Sequence, residues 1–344
     1  MYDFKYIDAG SAREAVELRE KYGEDATFVS GGTNVLYLMK RDVRRPKYLI
    51  NLKNITGLDS IRWDKKEGLR VGAIVKLSSL QHANDVVDHY PVLTQSAGRI
   101  ASPQIRNAAT VGGNLSQEVW CWYLTENFPC WMNGGKFCFA PGGDNRYHHT
   151  VAGGFLCMAI HPSDLAPALY ALNAKVNIVG LNYEKEIGIP ELLPGYTKVE
   201  GKLKQNTLLK SELITSVQIP PPESGSKGVF LKFAARESFD FALASVSLIV
   251  TLESDICKNI SVVLGGVATM PYKATKVESL LKGKKISPEL VEDASESVFD
   301  RAAPLSMNAY RIRLARELVR KALLQVCNLQ GEDSSSITPQ LSFR

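Results

Sequence analysis

The chain predicts a mixed α and β protein assembled from short elements in two or three compact units. Short apolar runs alternate with segments of helical period and with glycine-rich turns. At 344 residues the chain is too long for one ordinary core. The run Pro220-Pro221-Pro222-Glu223-Ser224-Gly225-Ser226 is the best linker, because three prolines stop any sheet or helix and the small residues release it. A domain boundary is expected there.

The elements follow in order. Ser11 through Tyr22 predicts a helix, with Ser11 as N-cap, Glu14 three residues later, and Ala15, Val16 and Leu18 as its apolar positions. Thr27-Phe28-Val29 reads as a buried strand running into Ser30-Gly31-Gly32-Thr33-Asn34, after which Val35 to Met39 resumes an apolar run. Strands are expected at Tyr48 to Asn51 and Leu69 to Ala73, and a helix from Leu77 to Asp85 behind Lys76. Leu165 to Leu172 predicts a helix, and Ala174 to Val179 a strand followed by a glycine turn. Beyond the linker, Val229 to Phe233, Ala244 to Leu252 and Ile260 to Leu264 read as strands, and Ala309 to Val326 has strong helical periodicity. Residues 331–344 carry three serines in a row and no apolar period, which predicts a disordered or partner-bound tail.

The composition, 45% hydrophobic and 22% charged, is that of a globular protein. Its net charge of +5 is spread along the chain, which favours anionic cofactors over a nucleic-acid partner. The amino terminus lacks a charged n-region and an apolar h-region, and no run approaches a membrane span. A cytoplasmic location without membrane contact is expected, and six cysteines are too sparse for a disulfide scaffold.

Four of those cysteines, Cys121, Cys130, Cys138 and Cys157, fall close together, while Cys257 and Cys327 stand isolated downstream. Their spacing, Cys-x8-Cys-x7-Cys-x18-Cys, lacks the close pairs of a structural zinc knuckle. Wider, loop-like spacing suits an iron–sulfur cubane, whose four irons each need one sulfur from around the cluster. Zinc and unliganded core cysteines remain the competing readings. His148, His149 and His161 could replace a cysteine as ligand, though a lone histidine is more often structural. Trp120, Trp122 and Trp131 could shield a cluster from water or simply fill the core of the loop.

Ser30-Gly31-Gly32-Thr33-Asn34 after a strand is what a phosphate cradle needs, since glycines let backbone amides face an anion and Thr33 and Asn34 add side-chain donors. A second turn, Thr110-Val111-Gly112-Gly113-Asn114, can clasp the other phosphate of a dinucleotide. The chain has no G-x-G-x-x-G, so a Rossmann site is not supported.

The order Val29-Ser30-Gly31-Gly32-Thr33-Asn34, Arg106 to Leu115, Ser163-Asp164-Leu165-Ala166-Pro167-Ala168-Leu169 and Phe230-Leu231-Lys232-Phe233-Ala234-Ala235-Arg236 resembles the FAD-binding medium subunit of the molybdenum hydroxylases. The xanthine and carbon monoxide dehydrogenase families belong to that group. The resemblance extends to Tyr310-Arg311-Ile312-Arg313, at the start of the last helix. The cysteine insertion, with Asn145-Arg146-Tyr147-His148 and His161-Pro162-Ser163-Asp164, is similar to 4-hydroxybenzoyl-CoA reductase and related aldehyde oxidoreductases.

This resemblance implies an α+β chain with a two-subdomain FAD-binding domain of the vanillyl-alcohol-oxidase (PCMH) type over residues 1–222. It implies an iron–sulfur insertion at 116–160, a small α+β carboxy-terminal domain over 226–330 and a tail at 331–344. Phe28, Val29, Ser30, Gly31, Gly32, Thr33, Asn34 and Val35 would wrap the FAD pyrophosphate, with Thr110, Gly113 and Asn114 facing it. Asp164 would hold a hydroxyl on the ribose or phosphate side, or merely cap the helix that follows. Leu209 would lie beside the adenine or the isoalloxazine. Lys232 would sit by the flavin ring, where a positive charge stabilises the reduced anion, or be an ordinary strand-edge charge; Arg236, Glu237 and Asp240 read as a solvated turn. Cys121, Cys130, Cys138 and Cys157 would hold a [4Fe-4S] cluster. No residue stands out as a nucleophile or acid–base pair. That fits a subunit relaying electrons between a ferredoxin-like or NAD carrier and a small [2Fe-2S] and a large molybdenum-cofactor subunit, in a heterotrimer that dimerises. The rivals are a medium subunit of an aldehyde or purine dehydrogenase, a stand-alone flavoprotein with structural zinc, and a scaffold that has lost its flavin.

Overall fold

The structure, a computed structural model, describes residues 1–329, so the expected tail at 331–344 lies outside the described residues. Strands β1 (Lys5–Asp8), β2 (Ala26–Val29) and β3 (Tyr48–Asn51) form a small parallel sheet in the order β1-β3-β2. The helix Ala12–Tyr22 covers it through Ala15 and Val16, and starts where Ser11 Oγ accepts the Glu14 amide at 3.1 Å. Glu14 reaches back to the Gly10 amide at 2.7 Å, so two orphan donors of the first turn are satisfied. The glycine-rich segment leaves the end of β2, and the apolar run behind it forms the helix Val35–Lys40.

Strands β4 (Ile61–Asp64), β5 (Gly68–Gly72), β6 (Lys175–Val179) and β7 (Glu184–Gly188) lie in a second, antiparallel sheet; β8 (Thr197–Val199) and β9 (Lys202–Lys204) make a separate hairpin. The centre of the second sheet is β10 (Leu213–Ile219), between β5 and β6. Leu69, Val71, Val176, Ile178, Val217 and Ile219 join helices Leu77–His82, Pro91–Gly98 and Leu165–Ala171 in one core. The single helix expected from Leu77 to Asp85 is two, Leu77–His82 and Asn84–His89, because Ala83 adopts extended backbone between them.

After residues 220–225, strands β11 (Ser226–Phe233), β12 (Ala244–Glu253), β13 (Ile256–Gly265) and β14 (Tyr272–Lys273) build an antiparallel sheet in chain order. Helices Thr275–Leu281, Pro288–Glu296 and Tyr310–Val326 supply its core partners through Val277, Val291, Ala315 and Val319. Among the described residues no helix is long and apolar enough to cross a membrane.

The cysteine-bearing segment has little regular structure: the four-residue helix Trp122–Thr125 and two single 3-10 turns. Irregular backbone needs partners elsewhere, and the entry to the last helix provides them. Asn145 donates to Ser306 Oγ and accepts the Met307 amide at 2.9 Å, and Asn308 Nδ2 donates to the carbonyls of His149 and Thr150 at 3.1 Å each. Arg311, fully buried, donates from Nε to the Leu243 carbonyl at 2.8 Å and from Nη1 to the His149 carbonyl.

Candidate functional site: a glycine-walled cleft and a cysteine cavity

A cleft of about 1210 Å³ is lined by both glycine-rich turns, at the upper end of the roughly 300–1,000 Å³ common for ligand pockets. The two turns meet at Gly31, where a Cβ would stand 2.2 Å from the Ala108 carbonyl oxygen. Only glycine permits that approach. Gly32 follows with φ +73°, the left-handed backbone glycine adopts without penalty. Asn34 Oδ1 accepts the Glu118 amide at 3.3 Å and so ties the first turn to the start of the cysteine segment. Arg44 grips the Glu118 carboxylate from the same side.

Thr110 caps the short helix Val111–Leu115, its Oγ1 accepting the Gly113 amide at 3.3 Å. Asn114 Oδ1 accepts from the Ser163 hydroxyl at 2.6 Å, and Ser163 Oγ accepts the Ala166 amide at 2.9 Å. The cap of the helix Leu165–Ala171 is therefore Ser163. Asp164, at the position expected to cap, makes no capping bond. Its carboxylate meets Lys232 Nζ at 2.6 Å, both side chains almost fully buried. Burial raises the Asp164 pKa, and the Lys232 charge opposes that rise. Lys232 Nζ also donates to the carbonyls of Arg99 and Asp240 at 2.9 Å each. Although β11 is an edge strand, Lys232 is no ordinary surface charge: its three donors are spent on one acid and two carbonyls inside the cleft wall. The turn after it matches its reading in part, with Arg236 and Asp240 paired at 2.6 Å.

Of the residues singled out in the sequence, Phe28, Ser30, Gly31, Gly32, Thr33, Asn34, Val35, Thr110, Gly113, Asn114, Asp164, Leu209 and Lys232 all line this cleft. The Val29 side chain does not; it packs with Met39 and Leu49. Trp120, Phe241 and His148 were not expected in the cleft wall. Trp120 packs at a tilt against Tyr37 and Phe241, with ring centroids 4.6 and 5.3 Å away, and His148 stands edge-on to Phe241. Burial holds the His148 pKa down to about 4, so its imidazole is neutral. The Ser30 hydroxyl is buried without a hydrogen-bond partner in the same wall. Two turns in backbone contact, an unspent hydroxyl and a volume of this size fit a dinucleotide such as FAD.

Behind the cleft, Cys121, Cys130, Cys138 and Cys157 converge on one small cavity with Tyr123, Leu124 and Phe139. Val119, Trp131 and Met132 line both spaces and form the wall between them. The cavity measures about 10 Å³, room for roughly one water. A larger group would require the four side chains to turn outward. All four are free thiols, buried except for the half-buried Cys138. Burial pushes Cys121 up to about 12 and raises Cys130. The Cys157 thiol donates to Cys138, which lowers the Cys138 pKa and raises that of Cys157. His149 Nε2 lies 3.4 Å from Cys121 Sγ. Among the described residues no three His, Cys, Asp or Glu side chains are grouped to hold a single metal ion. His161 stands apart, fully buried, with Nδ1 accepting the Ser163 amide at 3.4 Å.

Residues 2–222 match the family described as FAD binding domain in molybdopterin dehydrogenase, and residues 229–326 match the CO dehydrogenase flavoprotein C-terminal domain. The chain belongs to this family of FAD-binding subunits of molybdenum hydroxylase-type oxidoreductases. Among curated relatives, it is 33% identical over 330 residues to the aldehyde oxidoreductase FAD-binding subunit PaoB of Escherichia coli (strain K12), covering 94% of this chain and 98% of that one. It is 25% identical to the 6-hydroxypseudooxynicotine dehydrogenase complex subunit alpha of Paenarthrobacter nicotinovorans, covering 93% of each. A carbon monoxide dehydrogenase structure from Hydrogenophaga pseudoflava superposes with a TM-score of 0.73 at 23% identity, over 94% of this chain and 97% of that one. That superposition establishes the shared α+β architecture.

Proposed function

We propose that this chain is the electron-transferring medium subunit of a heteromeric molybdenum hydroxylase, holding FAD in the cleft and a [4Fe-4S] cluster in the cysteine cavity. The observation that carries the proposal is the convergence of four cysteines on one cavity that shares a wall with the cleft. Bound FAD exchanges two electrons with one carrier and passes single electrons to iron–sulfur centres. The rest is done by the protein. Ser30 and the two glycine turns would receive the pyrophosphate, and Leu209 would cover the nucleotide. Lys232 and Asp164 would present a fixed, dry ion pair to the flavin. The four cysteines and the apolar residues around them would supply sulfur ligands and exclude water.

A single zinc needs its ligands about 2.0–2.3 Å from one point, a gathering not found among the described side chains. A cubane takes its sulfurs from around a larger body, which the four convergent cysteines would supply by turning their side chains outward from the cavity. The boundaries in this reading are an FAD-binding unit over 1–222 with the insertion at 116–160, and a carboxy-terminal unit over 226–330. Substrate would turn over on a large molybdenum-cofactor subunit, with a small [2Fe-2S] subunit in the relay and a ferredoxin-like or NAD carrier outside it. Similarity to an aldehyde oxidoreductase subunit supports an aldehyde as substrate class. The cysteine insertion supports a second reading, a reductase of the 4-hydroxybenzoyl-CoA type running the relay inward.

Anaerobic purification tests the cofactor content. The reading expects about one FAD and about four irons per chain, with broad absorption beneath the flavin bands. Zinc without iron would remove the cluster from it.

A further inference from the structure

His149 has no exposed surface, and two features fix it. Its carbonyl accepts from both Arg311 and Asn308, so its backbone is held by the carboxy-terminal unit. Its ring sits beside Trp122 and Tyr123 at centroid distances of 6.1 and 6.0 Å, with Nε2 aimed at Cys121 Sγ at 3.4 Å. The other ring nitrogen, Nδ1, is buried without a hydrogen-bond partner. A cysteine that ligates iron is a thiolate with no proton to give, so a hydrogen bond across this contact needs the imidazole's one N–H on Nε2. Among the described residues, Cys121 is the one of the four with a hydrogen-bond contact to a histidine.

We propose that His149 donates an Nε2–H hydrogen bond to the Cys121 sulfur and thereby sets the reduction potential of the cluster; the inference rests on the cluster reading above. A hydrogen bond to a ligating sulfur stabilises the extra negative charge of the reduced state, and so raises the potential. The effect is strong in a site walled by Leu124, Phe139 and the Tyr123 ring, whose apolar surfaces keep the local dielectric low. No bond is made or broken as the electron arrives, and the proton stays on Nε2. His149 is thus a positioning and tuning residue. It also links the potential to the carboxy-terminal unit, since Asn308 and Arg311 hold the backbone that carries its ring.

The test is an EPR-monitored redox titration of the assembled complex containing the full chain, with His149→Phe and His149→Gln beside the wild type. His149→Phe removes the donor, and His149→Gln keeps an N–H that can reach the sulfur. The expected result is full iron content in both, a cluster potential displaced to more negative values in His149→Phe, a potential near wild type in His149→Gln, and flavin potentials unchanged. An unchanged cluster potential in iron-replete His149→Phe overturns the proposal. So does loss of iron from both variants, which would make His149 a ligand or a structural prop. A wild-type complex with FAD but no iron overturns the cluster reading beneath it.

Discussion

The cleft and the cysteine cavity stand back to back across Val119, Trp131 and Met132, and they satisfy their polar atoms in different ways. The cleft is built from backbone and short polar side chains that serve one another: Thr110 with Gly113, Asn114 with Ser163, Asp164 with Lys232. The cavity is lined by thiols and apolar groups, and its frame is held from outside, by Asn145, Asn308 and Arg311. Thr110 with Gly113 closes within three residues, whereas the Asp164–Lys232 pair of the cleft wall also reaches across to β11. A cavity framed from a distance depends on the carboxy-terminal unit and closes to the size of a water when its thiols face one another.

The sharpest way to separate the two is Cys157→Ala. Iron content is expected to fall to near zero while FAD content holds, as measured on one purified sample. Loss of both together would show that the cleft leans on the cavity. Next in size is Lys232→Met, which leaves Asp164 buried without its counter-charge. Removing one partner of such a pair costs about 3 kcal/mol or more, seen as a lower denaturation midpoint, and adding Asp164→Asn should recover much of it. Full stability in Lys232→Met would show that water already reaches the pair.

A third effect of nearly that size concerns pH. Burial holds His161 down to about 4 from its ordinary 6.5, so the unfolded chain binds the proton first as pH falls. The contribution is fully present above pH 6.5 and is lost as pH drops toward 4. It amounts to about 3 kcal/mol from the size of the shift. In His161→Gln, stability against urea should fall less steeply across that window; an identical slope would place the acid sensitivity elsewhere. The smallest effect expected is Thr110→Ala, a lost helix cap of about 1 kcal/mol. It should weaken FAD retention slightly and leave iron unchanged.

Much of this was legible in the chain. The Ser11 cap with Glu14 marked the first helix because its bonds close within four residues. The two glycine turns could be read because close backbone approach leaves no residue but glycine at Gly31. The central strand β10 was not. Its sequence, Leu213-Ile214-Thr215-Ser216-Val217-Gln218-Ile219, is nearly all buried and alternates poorly, since both faces of a middle strand meet protein. Asp164 read as a cap because an acid before a helix usually is one. Ser163, one residue earlier, takes that role while Lys232, sixty-eight residues away, claims the carboxylate.

By itself the sequence determined the class of fold, the glycine turns and the presence of four neighbouring cysteines, since each depends on residues close in the chain. Only the tertiary structure decided that those cysteines share a cavity, that Trp120 and Phe241 close the cleft beside them, and that Arg311 and Asn308 reach back to fix His149. The contacts to His149 join segments some hundred and sixty residues apart, and no local pattern records which distant side chain will fill a space until the cores around it have packed.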